Sequence, residues 1–265
     1  MHTTYMYKAY MRRVVKPPPS RDDTEEAFLA AYDLGAFPRP SVAVDVVVLT
    51  TSASAVEAVV TERREHPGRG KYALPGGFVG IAESLDHAAA RLLRDKAGLH
   101  RVYIEQLYTF GSPRRDPRGR ILTVAYYALV GPQRIAELSH ASGARLVTVL
   151  VPWAGETGGP VAIADRLDGR PLPLAFDHAD ILGMAVKRLR GKLDYTAIGF
   201  QLLPEEFTLR ELQDVHEAVR GEPVNKDSFR RRMLAGGGLE ATGERERETA
   251  HRPAELYRFV RRSST

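Results

Sequence analysis

Residues 77–99, GFVGIAESLDHAAARLLRDKAGL, hold the side chains with the clearest chemical potential: Glu83, Arg91 and Asp95. Residues 84–97 read as an amphipathic helix with Leu85, Ala88, Ala89, Leu92 and Leu93 as its apolar stripe. Positions 92, 95 and 96 are spaced i, i+3 and i+4, which puts them on one helix face. Carboxylates grouped on such a face can hold a divalent cation. A cation so held can act as a Lewis acid and activate a bound water. Here the face offers Leu92, Asp95 and Lys96. An ammonium about 4 Å from a divalent ion is repelled by roughly 8 kcal/mol at an effective dielectric near 20. Glu83 and Asp95 are the residual metal candidates, and no metal or catalytic residue is expected to be required. Just ahead, Pro75-Gly76-Gly77 reads as a tight turn, able to aim backbone N–H groups at an anion.

The elements around this helix imply a mixed α/β layer fold. Residues 42–50 (VAVDVVVLT) form a β-branched run typical of a buried strand. Further strands are expected over 55–61, 102–110, 122–130, 146–153 and 172–176, and a helix over 179–192. Residues 111–120 must be a loop because of their Gly and Pro, and four of those ten residues are arginine. Residues 1–21 carry scattered tyrosines and basic groups before Pro17-Pro18-Pro19, and read as a mobile arm. A helix is expected over 22–33, and 37–40 is extended by its prolines.

The chain has 265 residues and 43% hydrophobic content, enough for one or two domains with real cores. It contains no apolar run long enough to span a membrane. Its first residues lack the apolar stretch of a signal peptide. With no cysteine there is neither a disulfide nor a thiolate metal site. The expected location is the cytoplasm. A net charge of +5 from 38 basic and 33 acidic residues permits an anionic partner without requiring one.

The pattern changes near 195–205. Thr208 and Glu211 form a capping box, and Phe207 can staple to Leu212. That helix stops at Gly221. Asn225 can cap the next helix, which ends at Gly236. Strands are expected over 239–242 and 254–260. Helix, short turn, helix and hairpin suggest a winged helix-turn-helix. In the second helix Phe229 and Met233 face the core, so Arg231 and Asp227 lie opposite it, flanked by Arg230 and Ser228. Arg can read guanine and Asp can accept from cytosine. Lys226, Arg230 and Arg232 are candidates for phosphate. On the wing Arg245, Arg247 and Arg252 alternate with Glu244, Glu246 and Glu248, which weakens that tip as a reader of phosphate. An Arg-rich, solvated helical hairpin is the alternative.

Gly77, Glu83, Arg91, Leu93, Gly98 and Leu99, preceded by ALPGGF (73–78), resemble the frame of a Nudix box whose acidic helix positions are lost. FPRPSVAVDVVVL (37–49), SPRRDPRGR (112–120), TVAYYALV (123–130), LLPEEFTLRELQDVHEAV (202–219), FRRRML (229–234) and RPAELYRF (252–259) extend the similarity over residues 28–260. Over that span the chain resembles the Nudix-related transcriptional regulators of NAD metabolism, the NrtR-like family. The resemblance implies a Nudix-like mixed-sheet sandwich sensing an effector (22–195) and a winged helix-turn-helix (196–265), and the mobile arm (1–21) departs from the usual pattern. It implies a homodimer that represses genes from a double-stranded DNA operator. The effector would be a nucleotide such as ADP-ribose, or a sugar in some relatives, with no cofactor. The diphosphate would sit over Gly76-Gly77 near Arg63, Lys71, Arg118 and Arg120, where arginine suits it. Phe37, Phe78 and Phe110 can stack on adenine or pack in the core. Arg91 can touch the ligand or pair with Glu83. An active pyrophosphatase using Glu83 and Asp95 is the rival reading, and a nucleotide-binding adaptor for another protein is a second.

Overall fold

The computed structural model describes residues 24–136, 138, 143–246 and 253–260. Residues 1–21, Arg247 and Arg252 lie outside them, as do Asp22 and Asp23. By its internal contacts the chain divides into two compact units, 1–40 and 41–265, each described by itself. In the first unit, helix α1 (Glu25–Ala31) is capped by Thr24, whose hydroxyl accepts from the Ala27 N–H. Phe28, Tyr32 and Phe37 contact one another in sequence, with ring centroids 5.4 and 5.9 Å apart.

The second unit is built on a nine-stranded mixed sheet. Strands β1 (Ser41–Thr51), β2 (Val56–Glu62), β3 (Tyr72–Ala73) and β4 (Gly76–Phe78) lead to helix α2 (Leu85–Ala97). Then come β5 (Tyr103–Phe110), β6 (Ile121–Leu129), helix α3 (Pro132–Ile135), β7 (Ala144–Leu150), β8 (Ala162–Asp165), β9 (Pro171–Leu172) and helix α4 (His178–Leu193). The main path is β5-β6-β1-β2-β7-β8-β9, with β3 on β2 and β4 on β1. β1 and β6 run parallel in register from Ser41–Ile121 to Leu49–Leu129. The two-residue alternation of strands sends Val44, Val46 and Val48 to the face covered by α2, and Val47 and Leu49 to the face covered by α4.

Three differences from the sequence reading have local causes. Residues 75–77 do not form an anion-binding turn; Gly76 and Gly77 pair with Asp45 and Val44 as strand β4. The strand expected over 172–176 shrinks to β9, because Pro173 has no N–H to donate and Phe176 adopts a left-handed φ of 55°. The strand expected to reach Trp153 stops at Leu150, just before Pro152. β8 was unanticipated, being four residues long and so too short to show a period.

Beyond a 3-10 turn (Ala197–Leu202), strand β10 (Glu206–Thr208), helices α5 (Leu209–Arg220) and α6 (Lys226–Ala235), and strands β11 (Leu239–Arg245) and β12 (Glu255–Phe259) complete the chain. The capping box is present: Thr208 Oγ1 accepts from Glu211 N–H at 3.1 Å, and Glu211 accepts from Thr208 N–H at 2.7 Å. Asn225 caps α6 through Ser228 N–H at 3.0 Å. β10 joins the hairpin to give a three-stranded sheet, β10-β12-β11. One apolar cluster runs from Val47 and Leu49 through Ile181, Val186 and Leu202 to Leu212 and Phe229. The two halves therefore share a core.

Helix α4 lies so close to residues 159–160 that a Cβ on Gly183 would stand 1.9 Å from the Gly159 carbonyl oxygen. A Gly183→Ala variant must shift one backbone against the other. The expected loss is about 1–3 kcal/mol, the range for overpacking, read as a melting temperature several degrees lower.

Candidate functional site

A cleft opens between β1, β4, the 112–120 loop and the start of α4. Its floor is a buried ionic node. Arg115, 8% exposed, donates from Nε and Nη2 to the two carboxylate oxygens of Asp177, both at 2.8 Å. Nη2 also reaches Asp45 Oδ2 at 3.4 Å. A charge buried without partners is strongly unfavourable, so the node fixes the loop to β1 and to the N-cap of α4. His178 Nδ1 accepts the Leu74 N–H at 2.9 Å. The ring proton therefore belongs on Nε2, which faces Asp45 Oδ1 at 3.7 Å. Burial holds the His178 pKa below its ordinary value despite Asp45 and Asp177. Gly76 is required here on steric grounds, since a Cβ would fall 2.2 Å from Asp45 Oδ1.

Above the floor the walls are aromatic and cationic. The Arg118 guanidinium stands over the Phe78 ring at 5.2 Å and over the Phe176 ring at 5.7 Å. Arg63 covers Phe176 at 4.8 Å and donates to the Pro67 carbonyl at 2.7 Å. Buried Asp116 accepts from Arg118 Nη2 at 2.7 Å and Nε at 3.0 Å. Hydrogen bonding from Arg118 outweighs burial and keeps the Asp116 pKa below the usual carboxylate range.

The structure thus brings Arg63, Gly76, Gly77, Phe78 and Arg118 together in the cleft. Lys71 stands in an adjoining depression with Arg114 and Phe176. Three other candidates are engaged elsewhere. Arg120 donates to the Gly111 carbonyl at 2.8 Å, closing the base of its loop. Phe110 meets Tyr108 edge to face and packs on the core. Arg91 pairs with Glu83 through two 2.7 Å hydrogen bonds and with the Phe78 carbonyl at 3.2 Å. Phe37 belongs to the N-terminal unit, against Tyr32. Asp45, Arg115, Phe176, Asp177 and His178 escaped the sequence reading. Asp45 did leave a signal, as the lone charge in VAVDVVVLT.

The donor set on α2 does not fit a catalytic divalent metal. Leu92 is buried, and its Cδ2 lies 2.8 Å from where a Cβ on Gly77 would be. Hydrogen bonds from Arg91 and Gly80 hold the Glu83 pKa down at about 2 and occupy its oxygens. Asp95 pairs with Arg94 at 3.1 Å. No group of three His, Cys, Asp or Glu able to hold a metal occurs among the described residues.

In the C-terminal module Lys226, Asp227, Ser228, Arg230 and Arg231 are exposed on α6, while Phe229 is buried. Arg232 is exposed as well, with its guanidinium over the Phe229 ring at 5.6 Å and 4.0 Å from Asp194. Arg245 donates to the Pro253 carbonyl at 3.2 Å across the wing. A groove between α5, α6 and the wing is lined by Arg210, Lys226, Arg230 and Arg245. His216, buried on α5 and edge-on to Phe229 at 4.9 Å, is held down to about 4 by burial and by Arg232 and Arg220.

Nudix-type sheet, cleft and helix, joined through one core to a winged helix with an exposed basic reading helix, define a ligand-sensing DNA-binding regulator. Models of the NUDIX domain match residues 39–152, and of the NrtR DNA-binding winged helix domain residues 199–259. The ADPR responsive transcriptional repressor NtrR of Acinetobacter baylyi is 35% identical over 243 residues, covering 89% of each chain. The structure of Shewanella oneidensis NrtR complexed with a 27mer DNA matches with a TM-score of 0.65 and 34% identity, over 83% of this chain and 93% of that one. The ADP-ribose pyrophosphatase of Methanocaldococcus jannaschii is 30% identical over 176 residues, 66% of this chain and 83% of its own length. The chain belongs to the NrtR family of transcriptional regulators. No described helix is long and apolar enough to cross a membrane.

His178 and His216 are both kept neutral by the fold. Between each folded pKa and the ordinary value of 6.5, the unfolded chain binds more protons, so stability falls as pH drops below about 6.5. His216 alone is expected to cost about 2 kcal/mol at pH 5. Melting curves at pH 7 and pH 5 should therefore separate, and His216→Leu should narrow the gap.

Proposed function

We propose that this chain is an ADP-ribose-responsive repressor whose Nudix domain binds the nucleotide without efficient hydrolysis. The observation that carries the reading is Leu92: an apolar side chain, packed over Gly77, stands where a metal ligand would be needed. Glu83 is turned to Arg91 and Lys96 adds a like charge to any cation nearby. The cleft beside them keeps its aromatic and guanidinium groups. The Acinetobacter relative, an ADPR responsive transcriptional repressor, supports the same conclusion. Two copies, each presenting α6, suit a pair of half-sites one helical turn apart. Asp227 and Arg231 are the proposed base readers, with Lys226 and Arg230 on phosphates. Arg232, half-exposed beside Phe229 and Asp194, is a further phosphate candidate.

Helix α4 supplies a path between the sites. Its N-cap Asp177 belongs to the cleft floor. Near its other end Arg190 donates to the Val219 carbonyl of α5 at 2.7 Å and to the Trp153 and Gly155 carbonyls at 3.1 and 2.9 Å. Asp194, just past the helix, accepts from Arg220 and faces Arg232 of α6. Ligand affects DNA affinity only through a difference between two arrangements, and α4 touches both ends.

A duplex selected from a random pool should be released in a gel shift as ADP-ribose is added. Unchanged affinity at saturating ADP-ribose rejects it as effector. With magnesium, AMP release from ADP-ribose should match a no-enzyme control, whereas turnover abolished by Asp95→Ala would establish the pyrophosphatase reading. Arg231→Ala should relax base preference, and Arg230→Ala should weaken all duplexes alike with a shallower salt dependence. Arg190→Met leaves three carbonyls without their donor. The ratio of DNA affinities with and without ADP-ribose should then fall towards one, while ADP-ribose affinity stays near that of the parent protein.

A further inference from the structure

A partly buried carboxylate that the cleft does not use meets the other end of α4. Glu105 lies on β5, the strand that ends the main path of the sheet. Lys192 Nζ, from the last turn of α4, donates to both of its oxygens at 2.6 and 2.7 Å. Tyr127, fully buried and paired with Glu105 across β5 and β6, donates its hydroxyl at 3.0 Å, and Tyr103 donates to the same oxygen. Arg188 of α4 stands 3.6 Å from Glu105 and donates to the Leu107 carbonyl at 3.2 Å. Leu107 is the extra residue of an irregularity in the β5–β6 register, and a bulge leaves such a residue outside the ladder. Burial raises the Glu105 pKa, yet hydrogen bonds from Lys192, Tyr103 and Tyr127 hold it below the usual carboxylate range. A charge on an edge strand often serves only to keep other strands away. Glu105 is instead turned to α4, and the buried Tyr127 hydroxyl would be costly without its acceptor. The carboxylate is thus fixed from the sheet side and offered to Lys192.

Lys192 is gripped twice. Its carbonyl accepts from the Thr196 hydroxyl at 2.7 Å and from the Thr196 N–H at 3.1 Å. Thr196 Oγ1 in turn accepts from the Ile198 N–H at 3.3 Å, starting the 3-10 turn that leads into the winged helix. Between Lys192 and Thr196, Asp194 accepts from Arg220 of α5. The turn lies close on α4, since a Cβ on Gly199 would stand 3.1 Å from Leu193 Cδ1. A cavity lined by Tyr103, Lys192, Thr196 and Gln201 borders it. All of this is 15 residues along the helix from Asp177, or roughly 22 Å at the α-helical rise.

We infer that Glu105 is a positioning residue for DNA binding: through Lys192 it fixes the end of α4 and the turn after it, and so sets where the winged helix stands on the sheet domain. The cavity gives the turn room to settle elsewhere once the tether is lost. The inference rests on the reading of α4 as the path between effector and DNA, and it names what holds α4 at the DNA end.

DNA affinity of the full chain without ligand, measured by anisotropy on a duplex selected with the parent protein, tests it. Glu105→Gln keeps an acceptor for both tyrosines and loses the charge that holds Lys192. Lys192→Met loses the same tether from the helix side. Each should change DNA affinity about fivefold or more, the lower end for coupled sites. The double variant should change it no further than either alone, because a single tether is lost in all three. ADP-ribose affinity measured without DNA should shift in the opposite sense, since both sites bias one equilibrium. Tyr103→Phe, which keeps the ion pair, should shift DNA affinity in the same sense by less. Unchanged DNA affinity in both single variants overturns the inference, as does an additive double variant. So do DNA and ADP-ribose affinities that fall together with the melting temperature, the mark of a merely structural pair. A non-additive change of DNA affinity in a protein whose DNA binding ignores ADP-ribose would reject the effector reading and keep the positioning role.

Discussion

The burial of Arg115 is the constraint on which the cleft depends. A guanidinium at 8% exposure is tolerable only where carboxylates meet it at hydrogen-bond distance. Asp177 supplies both oxygens and Asp45 a third. Those carboxylates come from the first helical cap of α4 and from the central strand β1, so one side chain joins a loop, a strand and a helix. Breaking such a node by removing one partner typically costs 3–5 kcal/mol, because the remaining charge stays buried. The 112–120 loop is for that reason no loose arm. Arg118, three residues on, is aimed into the cleft by a scaffold already fixed at Arg115, and by Asp116 between them.

The same node orients α4, and α4 carries the orientation onward. Gly183 lets it press against residues 159–160, and Arg190 is satisfied wholly by main-chain carbonyls from two separate segments. Burial lowers the Arg190 pKa, yet three carbonyl dipoles and the Trp153 ring keep the charge in place. One of those carbonyls ends α5, where the helix dipole favours a cation. A helix tied at both ends to rigid partners moves as a body or not at all. Helix α4 is thereby tied to the cleft floor at one end and to α5 at the other, as a flexible linker between independent domains could not be. The shared apolar core argues in the same direction, because a core packed to native density transmits small shifts.

Much of this was legible in the sequence. The β-branched run of β1, the stripe of α2, the capping box of α5 and the Asn225 cap all state their structure locally, and each forms as its residue types dictate. The arginine-rich loop and Phe78 also declared themselves. What was not legible was which arginine of SPRRDPRGR would be buried, since Arg114, Arg115 and Arg118 look alike until Asp177, 62 residues from Arg115, is brought beside it. Phe176 and His178 carry no spacing signal, because their placement follows from a left-handed residue and a helix start rather than from any period. The turn expected at 75–77 failed for a related reason. Two glycines read as a turn by composition, whereas here they admit Asp45 and Leu92 from neighbouring elements, a tertiary demand that composition does not reveal.

The surface of α2 shows how side chains can be satisfied within the protein. Hydrolysis through a metal needs several carboxylates left available to a cation, and such a cluster is repulsive when empty. In this chain the corresponding surface is internally satisfied: Leu92 is packed, Glu83 belongs to Arg91, and Asp95 to Arg94. A helix so satisfied can hold β4 and the cleft wall rigidly without a bound ion. The winged helix shows the complementary economy. Arg232 contacts Phe229 and Asp194 and so couples α6 to the end of α4, and it and its neighbours on the opposite face stay exposed. Three consecutive arginines cannot all be aimed at one groove, because an α-helix turns by about 100° per residue.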